Sequence, residues 1–186
     1  DQRGFGAAPH AGLWPGETVL TGDLRQFSAL IRGRYPGIPL YWLGHSMGAA
    51  VVVLAAAGSG APPVDGLILD APAVWGDGEF STWRRIVLWT AAHTVPWLQF
   101  SGAHLHVETT DNIRLLRRLI RDPLMQRTAR VDEIYELVRM MGHALRLSAS
   151  LRRPLLVQYG LHDQVIPRAA VCDLIGRLHG AFALAI

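Results

Sequence analysis

Residues 40–57 read LYWLGHSMGAAVVVLAAA, with a G-x-S-x-G motif at residues 44–48 between two apolar segments of different character. Residues 40–43 are typical of a buried β-strand, whereas the alanine- and valine-rich residues 49–57 favour a tightly packed helix. A G-x-S-x-G motif between a strand and a helix is the context of a nucleophile elbow, a sharp turn that exposes the serine hydroxyl. A chance glycine–serine turn is the alternative. It does not explain why a strand-like segment precedes the motif and a helix-like segment follows it. The stretch therefore predicts that Ser46 is a nucleophile.

The neighbours of Ser46 have distinct expected roles in this turn. We expect a side chain at Gly44 or at Gly48 to collide with nearby backbone, which is why glycine is needed at both positions. His45 stands directly before the serine, so its side chain points elsewhere. The helix that begins at Met47 presents its N-terminus to the serine and favours developing negative charge there.

The composition is that of one globular domain. The chain has 186 residues, is 50% hydrophobic and carries a net charge of +3, and all 18 of its basic residues are arginine. A single cysteine cannot form an internal disulfide. No His/Asp/Glu cluster has metal-site spacing and no phosphate-binding glycine loop is present, so we expect neither a metal nor a cofactor. The oligomeric state stays open.

Apolar strands alternate with helical patterns along the chain. Helical spacing predicts helices over residues 17–34 and 168–178. After the strand of Ser46, further strands are expected at residues 67–69, 154–159 and 182–186. Near-continuous apolar strands separated by helices predict an α/β fold whose mostly parallel sheet has helices on both faces.

About eighty residues separate the second and third of these strands, far more than an ordinary loop. We expect core segments at residues 1–74 and 154–186 and a helical cap at residues 75–153, with helices over 112–121 and 131–147. Residues 86–107 lack charged side chains and are rich in tryptophan, but proline and glycine interrupt them, so they do not predict a membrane span. They form either the core of the cap or an acyl-binding or lipid-facing surface.

Positive charge is concentrated in the expected cap. Residues 75–153 hold 12 arginines and 8 acidic residues, a net charge of +4, while the rest of the chain carries −1. On the helix that follows Asn112, one face carries Arg114, Arg117, Arg118 and Arg121. This pattern indicates either a solvated helix face or contact with an anionic membrane surface. No nucleic-acid-binding motif accompanies the charge, so nucleic acid is not an expected partner.

A serine nucleophile needs a base, and the base needs an acid that orients it. Asp163 follows the strand at residues 154–159 and is the preferred acid, since that position brings a carboxylate to the sheet edge of Ser46. Capping of the helix near Arg168 is the alternative role for Asp163. Asp70, at the end of another strand, is the rival acid.

Several segments occur in an informative order: residues 1–6 (DQRGFG), 44–48 (GHSMG), 70–72 (DAP), 110–112 (TDN), 122–124 (DPL) and 160–167 (GLHDQVIP). Together they resemble the monoacylglycerol lipase and lysophospholipase group of α/β-hydrolases, which is related to serine aminopeptidase-type hydrolases. The resemblance implies an α/β-hydrolase fold with a cap and a lipid-like ester substrate. It also implies that Ser46 is the nucleophile, Asp163 the triad acid and the Met47 backbone N–H an oxyanion donor. Acyl transfer, peptidase chemistry and a non-catalytic scaffold are the alternatives.

Two elements of the family pattern are missing. The family's catalytic histidine follows the strand at residues 182–186, and its second oxyanion donor precedes Asp1, so we expect an internal fragment that is incomplete at both ends and catalytically impaired. Resident histidines are poor substitutes. His45 and His162 adjoin the catalytic residues, His10 follows a glycine-rich loop and His179 ends a helix. The four histidines of the expected cap should lack a supporting acid. They are His93, His104, His106 and His143.

Overall fold

The computed structural model describes residues 1–75, 81–101 and 112–186. Its helices are α1 (Glu17–Arg34), α2 (Met47–Ala57), α3 (Thr82–Thr94), α4 (Ile113–Arg121), α5 (Val131–Ser148) and α6 (Arg168–Arg177). Its strands are β1 (Tyr41–His45), β2 (Gly66–Asp70), β3 (Gln99–Ser101), β4 (Thr128–Arg130), β5 (Leu155–Gln158) and β6 (Phe182–Ala185). The helices predicted at 17–34, 112–121, 131–147 and 168–178 are confirmed to within one residue at each end.

The main sheet has the four parallel strands β1, β2, β5 and β6 in that order. Its register pairs the last residue of β1, His45, with Asp70 of β2, and Asp70 with Gln158 of β5. The carboxyl ends of these strands therefore meet at one edge. Because Ser46 follows β1 and the loop with Asp163 follows β5, both residues lie at this edge. The predicted parallel sheet is confirmed.

Helix α2 packs on β1 and β2, and α1 and α5 pack on α2, so these three described helices cover one face of this sheet. Each strand of the sheet lies beside the strand of the same sheet that precedes it in the chain, so the sheet is built in a single direction. Because crossovers between parallel strands are right-handed, the helices that connect these strands lie on the same side of the sheet. Trp42 and Leu69 point to that side and are buried. On the opposite side of β1, Tyr41 is 57% exposed and Leu43 is 63% exposed. The expectation of a fully buried strand at residues 40–43 is therefore wrong, because β1 is half-buried and lies at the end of the strand order.

Helix α2 is the centre of the core. Residues 49–55 of α2 are all buried, packed against β1, α1 and α5. Alanine at several of these positions lets the neighbouring elements approach closely, as dense core packing requires. Two polar contacts join α1 to this core: the Trp42 Nε1–H donates to Ser28 Oγ (2.6 Å), and Arg25 donates to the carbonyl of Ala55 at the end of α2.

By its packing, α5 belongs to the core rather than to the cap. Met140, Ala144 and Leu145 of α5 are buried in the same apolar cluster as α2. The remaining described elements between β2 and α5 are α3, α4 and the antiparallel pair β3–β4, a pair that the sequence did not predict.

The apolar stretch within this cap does not form a buried core. No residue of α3 is buried, and Trp97, Leu98 and Phe100 are exposed, so the interpretation of residues 86–107 as cap core is wrong for its described part. Residues 102–107, with His104 and His106, lie outside the described residues. Of the helices in the described ranges, none combines the length and the hydropathy that crossing a membrane requires.

Candidate active site

The chain makes a sharp, strained turn at Ser46, between the end of β1 and the start of α2. Ser46 has a φ of 50° and a ψ of −118°, a conformation that costs a non-glycine residue about 1–3 kcal/mol. Backbone hydrogen bonds hold it in place. Its N–H donates to the Asp70 carbonyl (2.9 Å), and its carbonyl accepts from the N–H groups of Ala49 (3.0 Å) and Ala73 (3.1 Å). The turn is strained and is held by backbone hydrogen bonds, and its role as a nucleophile elbow stays a prediction.

The two motif glycines differ in what surrounds them. A Cβ on Gly44 would meet the carbonyl oxygen of Gly48 and would lie 2.5 Å from its carbonyl carbon and 2.6 Å from the Ala49 nitrogen. These are backbone atoms of α2, so glycine is required at Gly44. A Cβ on Gly48 would meet open space, because this residue lies in the first turn of the helix and faces outward. The expected collision at Gly48 is wrong.

This contrast makes Gly44→Ala and Gly48→Ala a matched pair. We expect Gly44→Ala to lower the free energy of unfolding by about 3 kcal/mol or more, because α2 must shift away from β1. Gly48→Ala should change it by about 1 kcal/mol at most, in the stabilising direction, since alanine favours helix. Denaturant unfolding of both variants measures the difference. Equal tolerance of the two changes would contradict the geometry given for the elbow.

The Ser46 hydroxyl is available for reaction. The residue is half-buried, and its Oγ makes no hydrogen bond to another described residue. The Met47 N–H, the first of α2, donates to no acceptor in the described part of the chain. A free N–H beside a free hydroxyl, at a helix N-terminus, can stabilise an oxyanion that forms on a carbonyl attacked by Ser46.

An open cavity among the described residues lies away from Ser46, which is not part of its lining. It has a volume of about 940 Å³ and lies between the start of α1, α3 and α5. Trp89 and Tyr135 contribute to its wall, and the ion pair of Glu17 with His143 lies at its side. A pocket around Ser46 beneath the cap stays a prediction.

Asp163 lies in a loop that is fixed to the end of β5. Its Oδ1 accepts hydrogen bonds from the N–H groups of Val165 (2.7 Å) and Ile166 (2.9 Å). The buried Tyr159 hydroxyl donates to the Ile166 carbonyl (2.9 Å), and burial raises the pKa of this phenol. Asp163 Oδ2 accepts no hydrogen bond from the described residues, so this oxygen is free for an imidazole.

The alternative role of Asp163 as a cap of α6 is wrong in its simple form. Helix α6 has Pro167 at its N-cap position and no side-chain cap. Asp163 instead organises its own loop, ahead of the helix, through one carboxylate oxygen. That arrangement fixes the direction of the other oxygen.

Asp70 already has a partner. Its Oδ2 lies 2.8 Å from His45 Nδ1, and the two exposed side chains come from paired positions on neighbouring strands. No hydrogen bond joins His45 to Ser46 in the described chain. Sequence reasoning missed the pair of Asp70 with His45, although two strand-terminal residues in a parallel sheet are candidates for such a contact. Asp163 is therefore the better candidate acid.

Strand spacing is compatible with a triad at this edge. One strand, β2, separates β1 from β5, so the ends of β1 and β5 lie about 10 Å apart. A serine and a carboxylate bridged by one imidazole need a side-chain separation of about 6–9 Å. The two loops can close this gap, and the exact side-chain separation stays a prediction.

Each described histidine either bonds to a group other than Ser46 or has no hydrogen-bond partner near Ser46. His93 Nδ1 lies 2.7 Å from the Trp89 carbonyl, and His143 Nδ1 lies 2.8 Å from Glu17 Oε1. The expectation that the cap histidines lack a supporting acid is thus wrong for His143. Six of the eight histidines are described, and none of these six hydrogen-bonds to Ser46 or Asp163. In the same ranges, no group of side chains is suited to hold a metal ion.

The chain matches one family model, described as serine aminopeptidase, S33, over residues 1–183. No curated protein gives a significant match. A monoacylglycerol lipase of Paleococcus ferrophilus is a similar solved structure, with 19% identity and a TM-score of 0.73 over 99% of this chain and 70% of that one. A soluble variant of the Saccharomyces cerevisiae monoglyceride lipase, in complex with a substrate analogue, has 21% identity and a TM-score of 0.76 over 100% and 66%.

A carboxyl esterase of Bacillus coagulans, in complex with glycerol, has 18% identity and a TM-score of 0.70 over 100% of this chain and 70% of that chain. At such identities the likeness establishes the fold. The chain spans about two thirds of the length of these structures.

Proposed function

The chain belongs to the serine aminopeptidase S33 family of α/β-hydrolases, and from this premise we propose that it is a serine hydrolase of lipid-like carboxylic esters. The observation that carries the proposal is the strained turn at Ser46, with its free hydroxyl beside the free N–H of Met47. Strain of this kind persists only where the surrounding structure enforces it, and it is concentrated at functional sites.

The proposed reaction is acyl transfer through a covalent intermediate. A base removes the proton from Ser46 as its Oγ attacks the ester carbonyl, and the Met47 N–H donates to the resulting oxyanion. The protonated base then donates its proton to the leaving alcohol. Water hydrolyses the acyl-enzyme by the same steps and releases the carboxylic acid.

We assign the base to a histidine that follows β6, outside residues 1–186. Family members keep the chain order Ser…Asp…His, and β6 lies beside β5, whose loop carries Asp163. The free Oδ2 of Asp163 would accept the Nδ1–H of that imidazole and so fix its orientation and tautomer. By this proposal, residues 1–186 alone turn over substrate slowly, since none of the described histidines reaches the serine.

Single-chain lipid esters, monoacylglycerols or lysophospholipids, are the proposed substrates. Support comes from the exposed Trp83 and Trp89 of α3 in the cap and from the lipase and esterase structures that share the fold. The family description favours a second candidate, cleavage of aminoacyl amides by the same nucleophile. The two candidates share the elbow and differ in the pocket.

A substrate panel on the full-length protein tests this proposal. We expect a long-chain monoacylglycerol to be hydrolysed with a kcat/KM at least about tenfold above that of a short-chain ester, since each buried methylene contributes about 0.8 kcal/mol. Aminoacyl amides should react more slowly than either ester. Amide cleavage that exceeds ester cleavage would replace the lipase proposal with the peptidase one.

A further inference from the structure

Helix α4 divides cleanly into an apolar side and a basic side. Its nine residues, Ile113–Arg121, are five isoleucines and leucines and four arginines, with no acidic residue. At about 100° per residue, the arginines share an arc of about 100° and the apolar residues occupy the opposite side. An amphipathic pattern of this kind normally marks a helix whose apolar side is covered.

Within the described residues, the apolar side of α4 is largely exposed, and only Leu116 and Leu119 on it are half-buried. No residue of α4 is buried, and Ile113 and Ile120 are 63% and 59% exposed. Within the described ranges, α4 packs extensively against no other helix or strand. A core contact therefore does not explain its five apolar side chains.

Local contacts, rather than packing, hold α4 in its helical form. Asn112 Oδ1 accepts from the Leu115 N–H (3.1 Å) at the N-terminus, and Arg127 donates to the Ile120 carbonyl (2.6 Å) at the other end. A nine-residue helix is too short to be stable in water without such caps. The segment thus presents a preformed amphipathic helix at the surface.

In the part of the chain that the structure describes, the arginines of α4 have no acidic partner. Residues 112–127 hold five arginines and one acidic residue, Asp122, whose carboxylate accepts from the Leu124 N–H. Some arginines elsewhere in the described chain do pair with carboxylates, as Arg32 does with Asp65 and Arg177 with Asp173. No described ion pair involves a residue of α4.

We propose that α4 docks the protein on an anionic lipid bilayer, with its apolar side in the interface and its arginines on the headgroup phosphates. Solvation alone would explain the arginines but not the exposed isoleucines, and a nucleic acid would likewise leave the apolar side uncovered. An anionic bilayer satisfies both sides at once. Exposed Trp83, Trp97 and Phe100 in the same cap are of the residue types that gather at membrane interfaces. The proposal does not depend on the reaction of Ser46.

Vesicle co-sedimentation of the full chain tests the charge contribution. Vesicles of phosphatidylcholine alone are compared with vesicles that contain about 30 mol% phosphatidylglycerol. We expect the double variant Arg117→Gln/Arg118→Gln to partition about 30-fold more weakly onto the anionic vesicles, with little change on the neutral ones. The matched control is Arg34→Gln/Arg168→Gln, which removes two exposed arginines from the core segments and should bind like the parent.

A second variant tests the apolar contribution. Ile113→Ser/Ile120→Ser keeps every arginine and should also reduce binding to anionic vesicles, and circular dichroism verifies that each variant is folded. Equal weakening by the Arg34/Arg168 control would overturn the proposal in favour of a net-charge effect. Binding of soluble polyglutamate as tight as that of anionic vesicles would overturn it in favour of an acidic protein partner, and so would parental binding by the isoleucine variant.

Discussion

Ser46→Ala is expected to lower the kcat/KM of the full-length protein for a long-chain monoacylglycerol by at least about 10⁴-fold. The change removes the proposed nucleophile, and other serine hydrolases lose several orders of magnitude in activity when their nucleophile is removed. Stability should change little, because Ser46 holds its turn through backbone hydrogen bonds and its hydroxyl makes none in the described chain. A fluorophosphonate probe should label the parent and not the variant.

Ser59→Ala is the matched control for this experiment. Ser59 is an exposed serine with a glycine on each side, but it lies outside a G-x-S-x-G motif and has no positive φ. Its loss should leave activity and labelling at the parental level. Rapid Ser46-dependent turnover by residues 1–186 alone would contradict the assignment of the base to a histidine outside them, and would move the base role to a resident histidine.

Local sequence patterns were sufficient to predict the positions of the four strands of the main sheet and of the described helices other than α3. The period of apolar residues in α1 and α5 and the contrast between residues 40–43 and 49–57 reflect which side chains each element buries. The pair β3–β4 was missed because its strands have three residues each, too few for a periodic pattern. The family resemblance to α/β-hydrolases is confirmed.

Features that depend on distant contacts could not be predicted. The two sides of β1 have similar apolar residues, and only the position of the helices decides that Trp42 is buried and Leu43 is exposed. Similarly, nothing in the sequence near His143 indicates Glu17, which lies 126 positions away. The sequence does not distinguish the two motif glycines. The path of α2 determines that a Cβ would collide with backbone at Gly44 but not at Gly48.

The sequence predicted which candidate site residues lie together, because their positions depend on where the strands end. Residues that follow neighbouring parallel strands share an edge, and this rule placed Ser46, Asp70 and Asp163 together. The rule alone does not rank the two carboxylates, because both satisfy it, and Asp163 was preferred because Asp70 more simply opens the turn into Ala71 and Pro72. Their hydrogen bonds give an independent reason for the same ranking: Asp70 contacts His45, whereas Asp163 keeps one oxygen free.

The variants Asp163→Asn and Asp70→Asn test which of the two carboxylates is the triad acid. We expect Asp163→Asn to lower kcat in the full-length protein by about 10⁴-fold at neutral pH, since a neutral amide neither stabilises an imidazolium nor selects the reactive tautomer. The amide oxygen can still accept from the Val165 and Ile166 N–H groups, so the loop and the free energy of unfolding should be preserved.

Asp70→Asn replaces only an exposed contact with His45, and such pairs contribute about 0–1 kcal/mol to stability. Its kcat should therefore stay within about tenfold of the parental value, a change of about 1.4 kcal/mol in the barrier. Steady-state kinetics of both variants, with denaturant unfolding beside them, separates a lost catalytic role from a lost fold. If Asp70→Asn is the more damaging change at unaltered stability, the acid is Asp70, and the free oxygen of Asp163 has another use.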